Sequence, residues 1–86
     1  MNDPLVFDQA RRFADRVLAE NSETEDRVRA IWMTALSRHP EKSELDKAIL
    51  FVDEQAKRLG VKADSPKVWA DFCHVVFNLK EYIYLN

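Results

Sequence analysis

Eighty-six residues leave room for one hydrophobic core, and 47% hydrophobic with 33% charged residues describe an ordered globular chain, not a disordered one. The net charge is −2, and Arg11, Arg12 and Arg16 are interleaved with Asp8, Asp15 and Glu20, so the basic stripe of a nucleic-acid binder is missing. No apolar run reaches the ~18–20 residues of a membrane span, and the single cysteine excludes an internal disulfide.

The first predicted element is a helix from Pro4 to Glu20. Asp3 can accept from the orphan amides of a helix start, and Pro4 suits the first turn. Val6, Ala10, Phe13 and Val17 step by four, three and four, widened by Ala14 and Leu18, which matches one face of a 3.6-residue period. The second helix opens where Ser22 precedes Glu25 by three residues, a capping-box spacing. Its stripe is Val28, Ile31, Trp32, Ala35 and Leu36, and it stops near Ser37-Arg38 because Pro40 biases His39 out of the α region.

The third helix begins between Glu41 and Glu44, with either Glu41 or the Ser43/Asp46 pair opening the turn. Leu45, Ile49, Val52, Ala56 and Leu59 form its stripe beside Ala48, and Gly60 falls where a left-handed cap is wanted. The fourth opens at Ser65-Pro66 and repeats the pattern with Trp69, Phe72, Cys73, Val76 and Phe77. Val68, Val75 and Leu79 add apolar surface on its flanks, which predicts the most buried helix of the set. Asn78 can end it in the left-handed region, after which Tyr82 and Ile83 fold back over the core. The expected fold is all-α: a compact bundle of about four amphipathic helices with a short C-terminal latch segment, in a single domain spanning residues 1–86.

Chemistry-bearing residues are few. Cys73 and His74 are adjacent, so on a helix they point about 100° apart and cannot form a thiolate–imidazolium dyad. Cys73 falls on the Trp69/Val76 stripe and reads as a small core hydrophobe. His39 and His74 lie in different segments without ligand spacing, and one glycine cannot build a phosphate loop. The acidic residues sit at helix starts, where they favour the dipole, or on polar faces. No catalytic, cofactor-binding or metal-ligating set is therefore expected. Trp32 and Trp69 read as core aromatics facing each other, and Arg38 is expected to pair with Glu81 or Asp71.

Three stretches, "NDPLVFDQARRFADRVL", "RVRAIWMTALSRHPEKSEL" and "WADFCHVVFNLKEYIYLN", resemble in the same order the C-terminal region of the planctomycete PSD-one family, domain-of-unknown-function family fifteen-fifty-three. Asn2, Asp3 and Pro4 match its opening motif. Ala35, Leu36, Arg38, Pro40, Glu44 and Leu45 match the middle; Trp69, Ala70, Asp71, Asn78, Glu81, Tyr82 and Tyr84 match the end. Ser37 stands where the family has glycine and Leu79 where it has serine, which puts a glycine-type cap in doubt at residue 37. The family has no established catalytic or binding residues to transfer. The resemblance implies a helical C-terminal module of a large exported (periplasmic or cell-surface) bacterial protein, often accompanied by cytochrome-c-like modules. The chain itself opens with no signal peptide.

The expected role is a non-catalytic accessory or interaction module, docking upstream domains of its parent or a protein partner. The alternative is a structural part of an enzyme or redox unit whose catalytic groups lie upstream. Self-association through Leu5, Phe7 or Phe51 is a third expectation.

Overall fold

The computed structural model describes the backbone from Pro4 to Leu85 and the side chains of residues 8–79. Four helices follow one another: α1 (Pro4–Glu20), α2 (Thr24–Leu36), α3 (Lys42–Leu59) and α4 (Pro66–Leu85). The links are residues 21–23, 37–41 and 60–65, and no strand occurs among the described residues. The all-α bundle read from the periodic stripes is the fold observed.

Most of each stripe becomes core, although Ile49 of the α3 stripe does not join it and Phe51, outside that stripe, packs against it. Ala10, Ala14 and Val17 of α1 are buried, with Val28, Ile31, Trp32 and Ala35 of α2 and Ala48, Val52 and Ala56 of α3. From α4 come Val68, Trp69, Phe72, Cys73 and Val76, the largest share of any helix. α4 is the axis of the bundle: it touches all three other helices, and its most extensive contact is with α1. Phe13 and Phe77 stack across that contact, 6.1 Å between centroids. The radius of gyration is 12.1 Å, against ~12 Å for a compact chain of this length.

Local chemistry sets most boundaries. Pro4 and Pro66 open α1 and α4 as read, and the main-chain carbonyl of Ser65 accepts from Val68 and Trp69 at 3.1 and 3.4 Å. Gly60 takes the left-handed conformation (φ 70°), and the Val61 N–H reaches back to the Ala56 carbonyl at 3.0 Å, closing α3. At the α1–α2 link the expected Ser22 cap does not form. Glu23 occupies the extended cap position without a side-chain bond, and α2 starts at Thr24. The link is instead pinned through Asn21. Its side-chain amide and main-chain N–H both donate to the Val17 carbonyl, and Arg27 Nε donates to the Asn21 carbonyl at 2.8 Å. Glu25 and Asp26 then fill the first turn of α2, where they favour the dipole.

Three further expectations change. The break after Asn78 is absent, and α4 continues to Leu85. Asn costs under about 0.7 kcal/mol relative to Ala inside a helix, and neither Gly nor Pro follows it. The side chains of Tyr82 and Ile83, and with them the lid assigned to the latch, lie outside the described residues, as does the Asp3 cap. Leu59, placed on the α3 stripe, is exposed at the helix end, and the flank residues Val75 and Leu79 are exposed within α4.

Ser37 is the third change. It closes α2 in the left-handed region at φ 59°, the only non-glycine residue with positive φ among those described. Its N–H still donates to the Met33 carbonyl at 2.9 Å. A left-handed L-residue costs roughly 1–2 kcal/mol, partly offset because glycine loses more backbone freedom on folding. Ser37→Gly is therefore expected to raise the unfolding free energy by about 0.5–1 kcal/mol. Gly60→Ala, whose new Cβ meets nothing within 4 Å, is expected to lower it by about 1 kcal/mol through backbone strain alone. Urea unfolding of both variants checks the pair, and opposite signs are required.

Candidate functional site

Where α2, α3 and α4 meet, the surface opens into a groove of about 310 Å³. Its apolar wall takes Trp32 and Leu36 from α2 and Ala48 and Phe51 from α3. Phe72, Val75, Val76 and Leu79 of α4 complete it. Phe51 and Phe72 form a tilted ring pair 5.9 Å apart. The exposed flank of α4 is thus one lip of a depression, not an isolated accident of the surface.

The polar rim is made at the α2–α3 link. The left-handed turn at Ser37 redirects the chain, and Arg38 then lies over the Trp32 ring, 6.0 Å from its centroid. Its two terminal nitrogens clasp Glu44, Nη1 to Oε1 at 2.8 Å and Nη2 to Oε2 at 2.9 Å. Glu44 also accepts the Glu41 main-chain N–H at 2.8 Å, which opens α3 from Glu41, one of the two starts read from the sequence. Arg38 is therefore not paired with Asp71. Asp71 is held by Gln55 Nε2 at 2.9 Å and Lys67 Nζ at 2.8 Å. Glu44 is six residues from Arg38 and is carried to it by the first turn of α3, so the short link outcompetes Asp71. The side chain of Glu81 lies outside the described residues.

The Arg38 hydrogen bond, then that of the Glu41 main chain, lowers the Glu44 carboxyl from 4.5 to about 2. Its folded value thus lies below its unfolded one, so the pair stabilises the fold above pH ~4.5 and loses that contribution as the pH falls toward ~2. Because the Glu44 side chain is 30% exposed, solvent screening limits the effect to about 1 kcal/mol. Acid unfolding of wild type and Glu44→Gln should show a wild-type advantage at pH 7 that has vanished near pH 2. A gap independent of pH would remove the clasp as its cause.

The two tryptophans differ. Both are core residues, 6% and 0% exposed for Trp32 and Trp69, but no ring contact joins them among the described residues. Trp69 packs edge-on to Phe72 at 5.7 Å, lies under Arg27, and donates Nε1 to the Ala63 carbonyl at 2.8 Å. Trp32 Nε1 is buried without any partner, a condition that costs roughly 1–3 kcal/mol.

The remaining candidates do not assemble. Pro40 sits in the link beside the clasp, whereas Trp69 and Asp71 belong to α4 away from it, and Asn78 is half-buried in that helix. Cys73 is fully enclosed, and burial pushes its thiol up to about 12, so it stays protonated core material. Among the described residues no three His, Cys, Asp or Glu side chains gather into a metal-binding group, and no helix is long and apolar enough to cross a membrane. Lys47 at the rim and the unpartnered N–H of Trp32 escape sequence reasoning, and the surplus apolar residues Val75 and Leu79, outside the main α4 stripe, read there as burial and not as the lip of a groove. No protein-family model matches this chain, and no curated protein or solved structure matches it.

Proposed function

We propose that this chain is a non-catalytic helical interaction module that docks a neighbouring domain of its parent polypeptide or a protein partner. The groove between α2, α3 and α4 carries the reading. It presents Val75 and Leu79 at 39% and 41% exposure above a floor of aromatic and aliphatic side chains. An open apolar depression rimmed by charged groups is the form taken by surfaces that receive another protein. The resemblance to the planctomycete PSD-one family supports an exported parent of several domains, with this chain at its C-terminal end.

The test is calorimetric titration of the folded chain into the remaining domains of that parent. Saturable binding, abolished by Val75→Glu together with Leu79→Glu, is expected. Absence of binding between two folded partners would overturn the proposal.

A further inference from the structure

We infer that the groove receives an amphipathic helix of the partner, with an acidic edge set against Lys47. This rests on the interaction reading above and adds the partner's chemistry to it.

Three features lie in or beside the groove. The one left-handed non-glycine residue, Ser37, lies just past the α2 wall. The one buried side-chain nitrogen without a partner among the described residues, that of Trp32, belongs to the same wall. The third is the pair of exposed apolar residues, Val75 and Leu79, on the opposite lip. The end of α1 at Asn21, the end of α3 at Gly60 and the start of α4 at Ser65 are closed by ordinary main-chain bonds. Of the three features, the exposed apolar pair on the groove's lip is the part that a partner would cover.

The form of the occupant follows from what the groove lacks. Its walls are helices whose main-chain groups are already paired, so there is no sheet edge for an extended strand to join. A partner must then satisfy its own backbone and offer side chains, which a helix does through apolar positions at i, i+3 or i+4, and i+7. The groove, at about 310 Å³, is at the lower end of the ~300–1,000 Å³ of small-molecule clefts, and it suits a few apolar side chains inserted from one helix.

Charge complementarity sets the edge. Arg38, Glu44 and Lys47 all line the rim, so two cations stand there beside one carboxylate, in a chain whose net charge is −2. Arg38 is committed to Glu44 through both terminal nitrogens, and Glu41 stands on the Arg38 side, outside the groove wall. Lys47 is left to meet an anion from outside.

The experiment is a selection from displayed 16-residue helical peptides on the whole chain, depleted on the Val75→Glu/Leu79→Glu variant after circular dichroism has shown that variant folded. Enriched peptides should carry apolar residues at helical spacing with a flanking Asp or Glu, and Lys47→Glu should weaken them at least tenfold. Basic or neutral enriched peptides, or affinities unmoved by Lys47→Glu, overturn the acidic edge. Enrichment of proline-rich or alternating extended sequences overturns the helix. Should the parent's domains bind in a Val75/Leu79-dependent manner yet ignore Lys47→Glu, this inference alone falls; if they do not bind at all, the interaction reading falls with it.

Discussion

Replacing Trp69 by alanine is expected to remove a large share of the stability of this domain. An 86-residue chain rests on roughly 4–13 kcal/mol, and truncating a buried tryptophan costs about 3–5 kcal/mol. Trp69 is fully enclosed, packed against Phe72, covered by Arg27 and bonded to the Ala63 carbonyl that tethers the α3–α4 link. A sharper comparison uses phenylalanine at both tryptophans. Trp69→Phe loses ring volume and also a hydrogen bond worth about 1 kcal/mol. Trp32→Phe loses the same volume but deletes a buried donor that has no acceptor, which offsets part of the loss. Trp69→Phe should therefore be the more destabilising by at least about 1 kcal/mol, read as a difference in urea midpoints at unchanged slope. Equal midpoints would mean that the Trp32 N–H is satisfied in solution.

Ala14→Leu is expected to be damaging from the opposite direction. Ala14 is 0% exposed on α1, whose main partner is α4, and Ala10 one turn earlier is buried too. Small residues there set how closely the two helices approach. Three extra carbons have nowhere to go, and overpacking of this kind costs about 1–3 kcal/mol. For a domain of this size each kcal/mol lowers the melting temperature by about 4–8 °C. Ala19→Leu, on the exposed face of the same helix, is the control and should stay within about 0.5 kcal/mol of wild type. If Ala14→Leu melts like the control, α1 is not seated on α4 as described.

Much of this architecture is visible in local patterns, and the reason differs by element. α4 could be placed from Ser65-Pro66 and the Trp69–Phe77 spacing because cap chemistry and periodicity act within a few residues. Gly60 declared the end of α3 for the same reason. Ser37 shows the limit. Serine there argues against a left-handed cap, yet the structure has one, because the link to Pro40 and α3 demands a sharp turn whatever residue supplies it. Asn78 shows the reverse: a mild preference to stop, overridden when nothing after it forbids a further turn.

The candidate site was legible only in fragments. Arg38 and Glu44 stood out only through a resemblance in sequence, and their pairing depends on where the α2–α3 link sets the first turn of α3. Val75 and Leu79 read as extra flank surface, with no hint that Phe51 and Leu36 would continue the same apolar wall from two other helices.

What the amino-acid order determined by itself was four helices, most of their limits and most of the residues each would bury, because backbone hydrogen bonding and side-chain period are set by near neighbours in the chain. Only the tertiary structure decided which helix became the axis, which apolar residues remained exposed as a groove, and which carboxylate Arg38 holds. Those outcomes depend on the meeting of faces far apart in sequence, and periodicity within one segment carries no record of its partner.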